Sequence, residues 1–113
     1  RARLLYLTGY RCCMNAVITT QVFREWLHRL KDERGRMAIL RRISRAEQGN
    51  FGDHKPVGEG VHELRVPVGP GYRVYYLQTG EAIYVLLVGG DKSSQRRDIA
   101  TAKQMAAVIR REP

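Results

Sequence analysis

Between Val61 and Lys92 the chain reads VHELRVPVGPGYRVYYLQTGEAIYVLLVGGDK, three short strand-like runs joined by two tight turns. Leu64, Val66, Tyr72, Val74 and Tyr76 occupy even positions, and Glu63, Arg65, Arg73 and Tyr75 occupy odd ones. A period of two of this kind predicts a sheet with one packed side and one charged, exposed side. The turn Pro67-Val68-Gly69-Pro70-Gly71 combines prolines, which pre-set φ, with glycines, which tolerate φ above zero, so the first two strands should fold back as a hairpin. If the even positions share a core, Arg65 and Arg73 fall opposite each other on the exposed face. Two guanidinium groups placed that way repel unless an anion or a carboxylate lies between them.

At 113 residues the chain is long enough for one domain, with one core between a sheet and two or three helices. Its 20 Lys and Arg against 11 Asp and Glu give a formal charge of +9. That balance favours nucleic acid, an anionic membrane surface or an acidic protein as partner. No apolar run is long enough to cross a bilayer and no secretory signal pattern is present, which predicts a soluble cytoplasmic protein. The two cysteines, Cys12 and Cys13, are adjacent, so they cannot staple distant segments and lack the spacing of a zinc site. Arg1 to Cys13 carries three Arg and no acid, and strand-then-helix patterning begins only after Met14. Residues 1–13 are therefore expected to be an upstream, non-native leader, and residues 14–113 a single domain.

Ala16 to Thr20 is β-branched and short, as suits a first strand. Thr20 is placed to cap a helix whose apolar side is Phe23, Trp26, Leu27 and Leu30. After a charged break at Lys31 to Gly35, Met37, Leu40, Ile43 and Ala46 form a second apolar stripe that ends before Gly49, and the two helices should pair as a hairpin. Arg34, Arg41, Arg42 and Arg45 then form a solvated helix face, with a supporting contact from Arg41 and Arg45 to a nucleic-acid backbone as the functional alternative. Asn50 to Gly60 reads as a loop holding His54 and Lys55. Gly89-Gly90 should break the last strand, and Ser94 should cap a terminal helix with Ile99, Ala102, Met105, Ala106 and Ile109 on its packed side and Arg96 and Arg97 near the charged surface.

The chain has no GxxxxGK[ST] loop, no GxSxG elbow, and no HExxH or spaced Cys/His set, so nucleotide hydrolysis, serine hydrolysis and zinc catalysis have no visible apparatus. No cofactor or metal is expected. His28 falls on the exposed side of a helix, His62 has the parity of the packed face, and His54 is the histidine placed for reactivity, with a solvated loop residue as the bland reading.

The stretches NFGDHKPVGEGVHELRV, GPGYRVYY and VGGDKSSQRRDIATAK, in an order of strand, helix hairpin, three strands and helix, resemble the RelE/ParE toxin superfamily. Within it they are similar to the HigB-type, phage Gp49-like addiction-module killer branch, over Met14 to about Arg110. GYR before an aliphatic-aromatic strand is widespread in the superfamily, and GEGVHELR and GGDKSSQ are specific to the branch. The resemblance implies an α+β, RelE-like fold with a small antiparallel sheet in the order β-α-α-β-β-β-α, packed against a helix hairpin and a C-terminal helix. It implies a toxin of a type II toxin-antitoxin pair that cuts mRNA on the ribosome. Its expected partner is a cognate helix-turn-helix, HigA-like antitoxin encoded downstream, which joins it in a hetero-oligomer. ParE relatives of the same architecture target DNA gyrase instead, and a catalytically silent antitoxin-binding module is the third reading.

Cutting RNA by attack of its own 2′-hydroxyl requires a base, cations for the charged phosphorane and help for the leaving oxygen. The resemblance places Arg73 at a phosphate-contacting position and Lys92 in the region of catalytic basic residues. Arg65 is the second anion ligand, and Glu63 or His54 is the candidate base. Lys55 would hold RNA, Tyr75 would stack on a base, and Arg96 and Arg97 would add backbone contacts. The bland alternative for Glu63 is neutralisation of Arg65 and Arg73 across the sheet, and Tyr72 and Tyr76 are expected in the core.

Overall fold

The structure is a computed structural model that describes residues 15–111. The expectations for Arg1 to Cys13, for Met14 and for both cysteines lie outside the described residues. The chain runs through β1 (Ala16–Thr19), α1 (Gln21–Arg29), α2 (Glu33–Glu47), β2 (His54–Gly58), β3 (Val61–Val66), β4 (Tyr72–Gln78) and β5 (Ile83–Asp91). A single 3-10 turn (Lys92–Ser94) then leads into α3 (Gln95–Arg111). The described strands form one sheet in the order β1-β5-β4-β3-β2, antiparallel except where β1 pairs parallel with β5. The fold is α+β with a mixed sheet. Strand periodicity carries no information about direction, so the parallel pair could not be read from it.

The strand β2 corrects the expected loop. Its hairpin to β3 turns through Gly58, Glu59 and Gly60, all with positive φ (110°, 53° and 80°). Glu59 is the non-glycine residue among them, and Arg110 of α3 clamps it by donating to its carbonyl at 2.6 Å. Because β2 is an exposed edge strand containing Pro56, it shows no alternation. Arg65 N donates to Asp53 O, so the ladder's alternation puts Pro56 at an outward-facing position, where its missing N–H removes an edge donor.

Thr20 caps α1 as expected, accepting from Phe23 N at 3.0 Å. The core between the helix hairpin and the sheet contains Phe23, Ile39, Leu64, Val66, Tyr72, Val74 and Tyr76, the even positions of β3 and β4. On α2, however, the buried residues are Gly35, Ala38, Ile39 and Ala46. Ile43 packs partly against this core, whereas Met37 and Leu40 face outward at 46% and 42% exposure. One cause is steric: Tyr72 lies so close to the start of α2 that a Cβ on Gly35 would fall 2.4 Å from its ring, so no side chain fits at that position. The break between the helices is accordingly shorter than expected, with Asp32 capping α2 by accepting from Gly35 N at 3.1 Å.

The odd side is not simply an exposed charged face. Val61, Tyr75, Leu77, Val85, Leu87 and Val88 form a second core beneath Ala102 and Ala106 of α3. Gly89 and Gly90 do not break β5, which continues to Asp91. They let other elements approach: a Cβ on Gly89 would meet the Trp26 ring at 2.4 Å, and one on Gly90 would meet Asp98 of α3.

Two outcomes test this packing. Gly89→Ala should cost about 1–3 kcal/mol by overpacking against Trp26, read as a lower urea midpoint with an unchanged slope. Asp32 also accepts from the Tyr72 hydroxyl at 2.8 Å. The Gly35 amide and then Tyr72 hold its carboxyl below the ordinary range. Burial, and then this bond, push Tyr72 up to about 12. A depressed folded-state pKa contributes stability that is present above the unfolded value of about 3.9 and is lost as pH falls through the folded value. Stability of the wild type should therefore fall more steeply below about pH 4 than that of Asp32→Asn, checked by urea unfolding across the acid range.

Candidate anion groove at the end of the sheet

In the register of β3 and β4, Arg65 pairs directly with Arg73, as the period predicts. Arg73 in turn lies opposite Gly90, and Lys92 follows where β5 ends. Arg65, Arg73 and Lys92 line one shallow groove of about 200 Å³ beside the hairpin residues Pro67 and Gly71, together with Asp53. That volume is below the roughly 300–1,000 Å³ of sites that enclose a small molecule, so it suits one charged group of a longer ligand rather than a whole cofactor.

The repulsion between the guanidinium groups is relieved by two carboxylates. Arg65 Nη2 meets Asp53 Oδ1 at 2.9 Å, with both side chains partly open to solvent. Arg73 is mostly buried, donates from Nη1 to Gly71 O at 2.8 Å, and holds Nε 3.5 Å from Glu63 Oε2. Glu63 is fully buried. Its Oε2 accepts from the Tyr75 hydroxyl at 3.0 Å and from Gln95 Nε2 of α3 at 2.8 Å, whereas Oε1 has no protein partner. Burial and the bond to Glu63 push the Tyr75 phenol well above its ordinary range. Asp91 caps the turn that carries Lys92, accepting from Ser93 Oγ at 2.6 Å and Ser93 N at 2.9 Å, and the Ser93 hydroxyl chiefly holds its carboxyl below the ordinary range.

These contacts separate the expected site residues. Glu63 is sealed from the groove and cannot act as a solvent-facing base, because α3 covers it. It neutralises Arg73, but Asp53 rather than Glu63 serves Arg65. Tyr75 cannot stack on a base, since the same helix buries it completely. His54 pairs with Leu64 in the ladder, which sends its ring to the opposite side of the sheet from Arg65. There it lies 5.8 Å from Phe51, with Nδ1 2.9 Å from Gly52 O. Lys55 pairs with Glu63 and so shares the side of the arginines, exposed on the edge strand. Arg96 and Arg97 are exposed on the first turn of α3. Arg41 and Arg45 are exposed on α2, in the other layer.

Asp53 was missed because its position beside Arg65 depends on β2; reading residues 54–58 as a strand would have placed it there. Gln95 carried no signal. Arg42, grouped with the solvated arginines, is a clasp: its Nη1 donates to Arg65 O at 2.5 Å and its Nη2 to Phe51 O at 2.9 Å. Among the described residues no cluster of His, Cys, Asp and Glu is arranged to hold a metal, and no helix is long and apolar enough to cross a membrane.

No family model matches the chain. A protein of Haemophilus influenzae described as uncharacterized is 48% identical over 88 residues, spanning 78% of this chain and 89% of its own length. The chain belongs to the same family as that protein. Among solved structures, a conserved hypothetical protein from Helicobacter pylori, determined in solution, aligns with a TM-score of 0.47 at 21% identity, covering 71% of this chain and 97% of that one.

Removing the buried carboxylate should be costly. Glu63→Ala leaves Arg73 without its counter-charge and Tyr75 and Gln95 without an acceptor, an expected loss of about 3 kcal/mol in urea unfolding. Glu63→Gln, which keeps an acceptor oxygen, should lose distinctly less.

Proposed function

We propose that this chain is a RelE/ParE-superfamily toxin of the HigB type and an endoribonuclease that cuts mRNA at the ribosome. The observation that carries the reading is the convergence of Arg65, Arg73 and Lys92 on one groove, each within a stretch, GEGVHELR, GYR or GGDK, that resembles the superfamily. A net charge of +9 supports a polyanionic substrate, and the small groove fits one phosphodiester of a long chain.

In this mechanism Arg65 and Lys92 grip the scissile phosphate, and Arg73, set by Glu63 and the Gly71 carbonyl, adds a fixed charge beneath it. Preorganised cations lower the energy of the phosphorane because their positions are settled before charge develops. Asp53, on the groove wall against Arg65, is the carboxylate within reach of a 2′-hydroxyl; Lys92 is the acid nearest a leaving oxygen. The reaction takes place in the cytoplasm, where ribosomes are, and a cognate antitoxin restrains it in a hetero-oligomer.

Lys92 and Arg65 are the residues to test, because replacing Arg73 would also strand Glu63. Lys92→Ala and Arg65→Ala should each lower transcript cleavage about a hundredfold, measured by mapping transcript ends after induction, with unfolding midpoints near that of the wild type. Growth arrest with intact transcripts and broken DNA would replace this reading with gyrase poisoning. A chain that arrests nothing would be a silent binding module.

A further inference from the structure

Arg42 starts on α2, in the layer opposite the anion groove, and its guanidinium ends on the backbone of the groove wall. Its Nη1 donates to Arg65 O at 2.5 Å, and its Nη2 to Phe51 O at 2.9 Å and Asp53 O at 3.3 Å. The ladder between β2 and β3 explains why an acceptor is available there. His54 pairs with Leu64, and one step further Arg65 N donates to Asp53 O at 2.9 Å, but Asp53 itself stands outside β2. Arg65 O, which Asp53 N would meet in a continued ladder, accepts from Arg42 instead. Gly52 leaves the room for this: at φ 64°, a Cβ there would fall 2.8 Å from the guanidinium. The side chains carried by this backbone are only loosely held by each other. Arg65 Nη2 and Asp53 Oδ1 meet at 2.9 Å with 36% and 53% of their side chains exposed, and an ion pair so open to water does little to fix either partner.

We propose that Arg42 is a positioning residue for the cleavage reaction proposed above, on which this inference rests. By pinning the carbonyls of Phe51, Asp53 and Arg65 it holds the Asp53 carboxylate where it meets the attacking 2′-hydroxyl. In that step Asp53 takes the hydroxyl proton, the 2′-oxygen bonds to phosphorus, and the 5′-oxygen leaves with a proton from Lys92. A planar fork suits the task because its acceptors lie on two separate segments, which the point charge of a lysine cannot bridge in the same geometry. Burial lowers the Arg42 pKa and the charge of Asp53 opposes that shift, so the two groups also sense each other directly. Arg65 is anchored independently through its pairing with Arg73. Loss of the clasp therefore frees Asp53 more than it loosens the grip on phosphate, and its cost falls on the chemical step rather than on binding.

Single-turnover cleavage of mRNA on purified ribosomes, at saturating and at limiting full-chain protein, provides the test, with urea unfolding beside it. Arg42→Lys, which keeps the charge and loses the fork, should slow the saturated rate about tenfold or more, while the half-saturating concentration stays within about twofold. Gly52→Ala, which crowds the guanidinium without removing it, should act in the same direction. In an Asp53→Asn background either change should slow cleavage by less than about twofold more, because the group it positions is already gone. A purely structural role would instead multiply the two losses. An unchanged saturated rate in Arg42→Lys, an effect confined to the half-saturating concentration, or multiplied losses would each overturn the proposal. If the wild type cleaves nothing, the cleavage reading fails, and NMR of the Arg65 guanidinium decides the positioning separately. Its Nη groups should rotate slowly in the wild type and freely in Arg42→Lys, and equal rotation in the two would refute the clasp.

Discussion

The buried carboxylate of Glu63 is the constraint around which this end of the molecule is arranged. A charge removed from water is tolerable only when counter-charge and hydrogen bonds replace its hydration. Here the replacements come from three places: Arg73 on the neighbouring strand, the Tyr75 hydroxyl two residues further along β4, and Gln95 on α3. Each is thereby fixed in turn. Arg73 is drawn against the sheet, Tyr75 is kept neutral and inside, and the first turn of α3 is pinned down where the absence of a side chain on Gly90 lets it approach. The groove inherits its shape from this arrangement.

The groove exists because one side of the sheet has two characters. Towards one end, Val61, Leu77 and Val85 are apolar and α3 covers them with alanines and aliphatic side chains. Towards the other end, Arg65 and Arg73 would be costly to cover, and the helix hands over to the short turn carrying Lys92. Cover therefore ends where charge begins. The opposite side has no such division, and its core is continuous from Phe23 to Tyr76. Charged residues of β3 and β4 are thus concentrated at one end of one side, beside the hairpin Pro67 to Gly71. That concentration is what the proposed phosphodiester chemistry requires.

The second helix shows how close packing overrides a plausible pattern. Its sequence offers two candidate inner faces, one with Met37 and Leu40 and one with Gly35, Ala38 and Ile39. Hydrophobicity favours the first, because large aliphatic side chains gain more from burial. The Tyr72 ring works towards the second, because it occupies the space that any side chain at Gly35 would need, while Ile39 fills the core nearby.

Residues 61–92 were legible in large part because alternation is a local property: Leu64, Val66, Tyr72, Val74 and Tyr76 share a face in any sheet they enter, and Arg65 faces Arg73 once the turn is set. The helices, the Thr20 cap and the packed side of α3 followed from equally local rules. What the sequence by itself determined is which residues lie side by side. What only the tertiary structure decided is what lies over them: α3 above Glu63 and Tyr75, Asp53 beside Arg65, Arg42 clasping the loop from Phe51, and His54 turned to the far side. The reason is physical. A repeat of two or of 3.6 residues arises from bonds within a short segment, whereas cover, burial and counter-charge come from segments far away in the chain, whose approach depends on shape and leaves no period in the sequence.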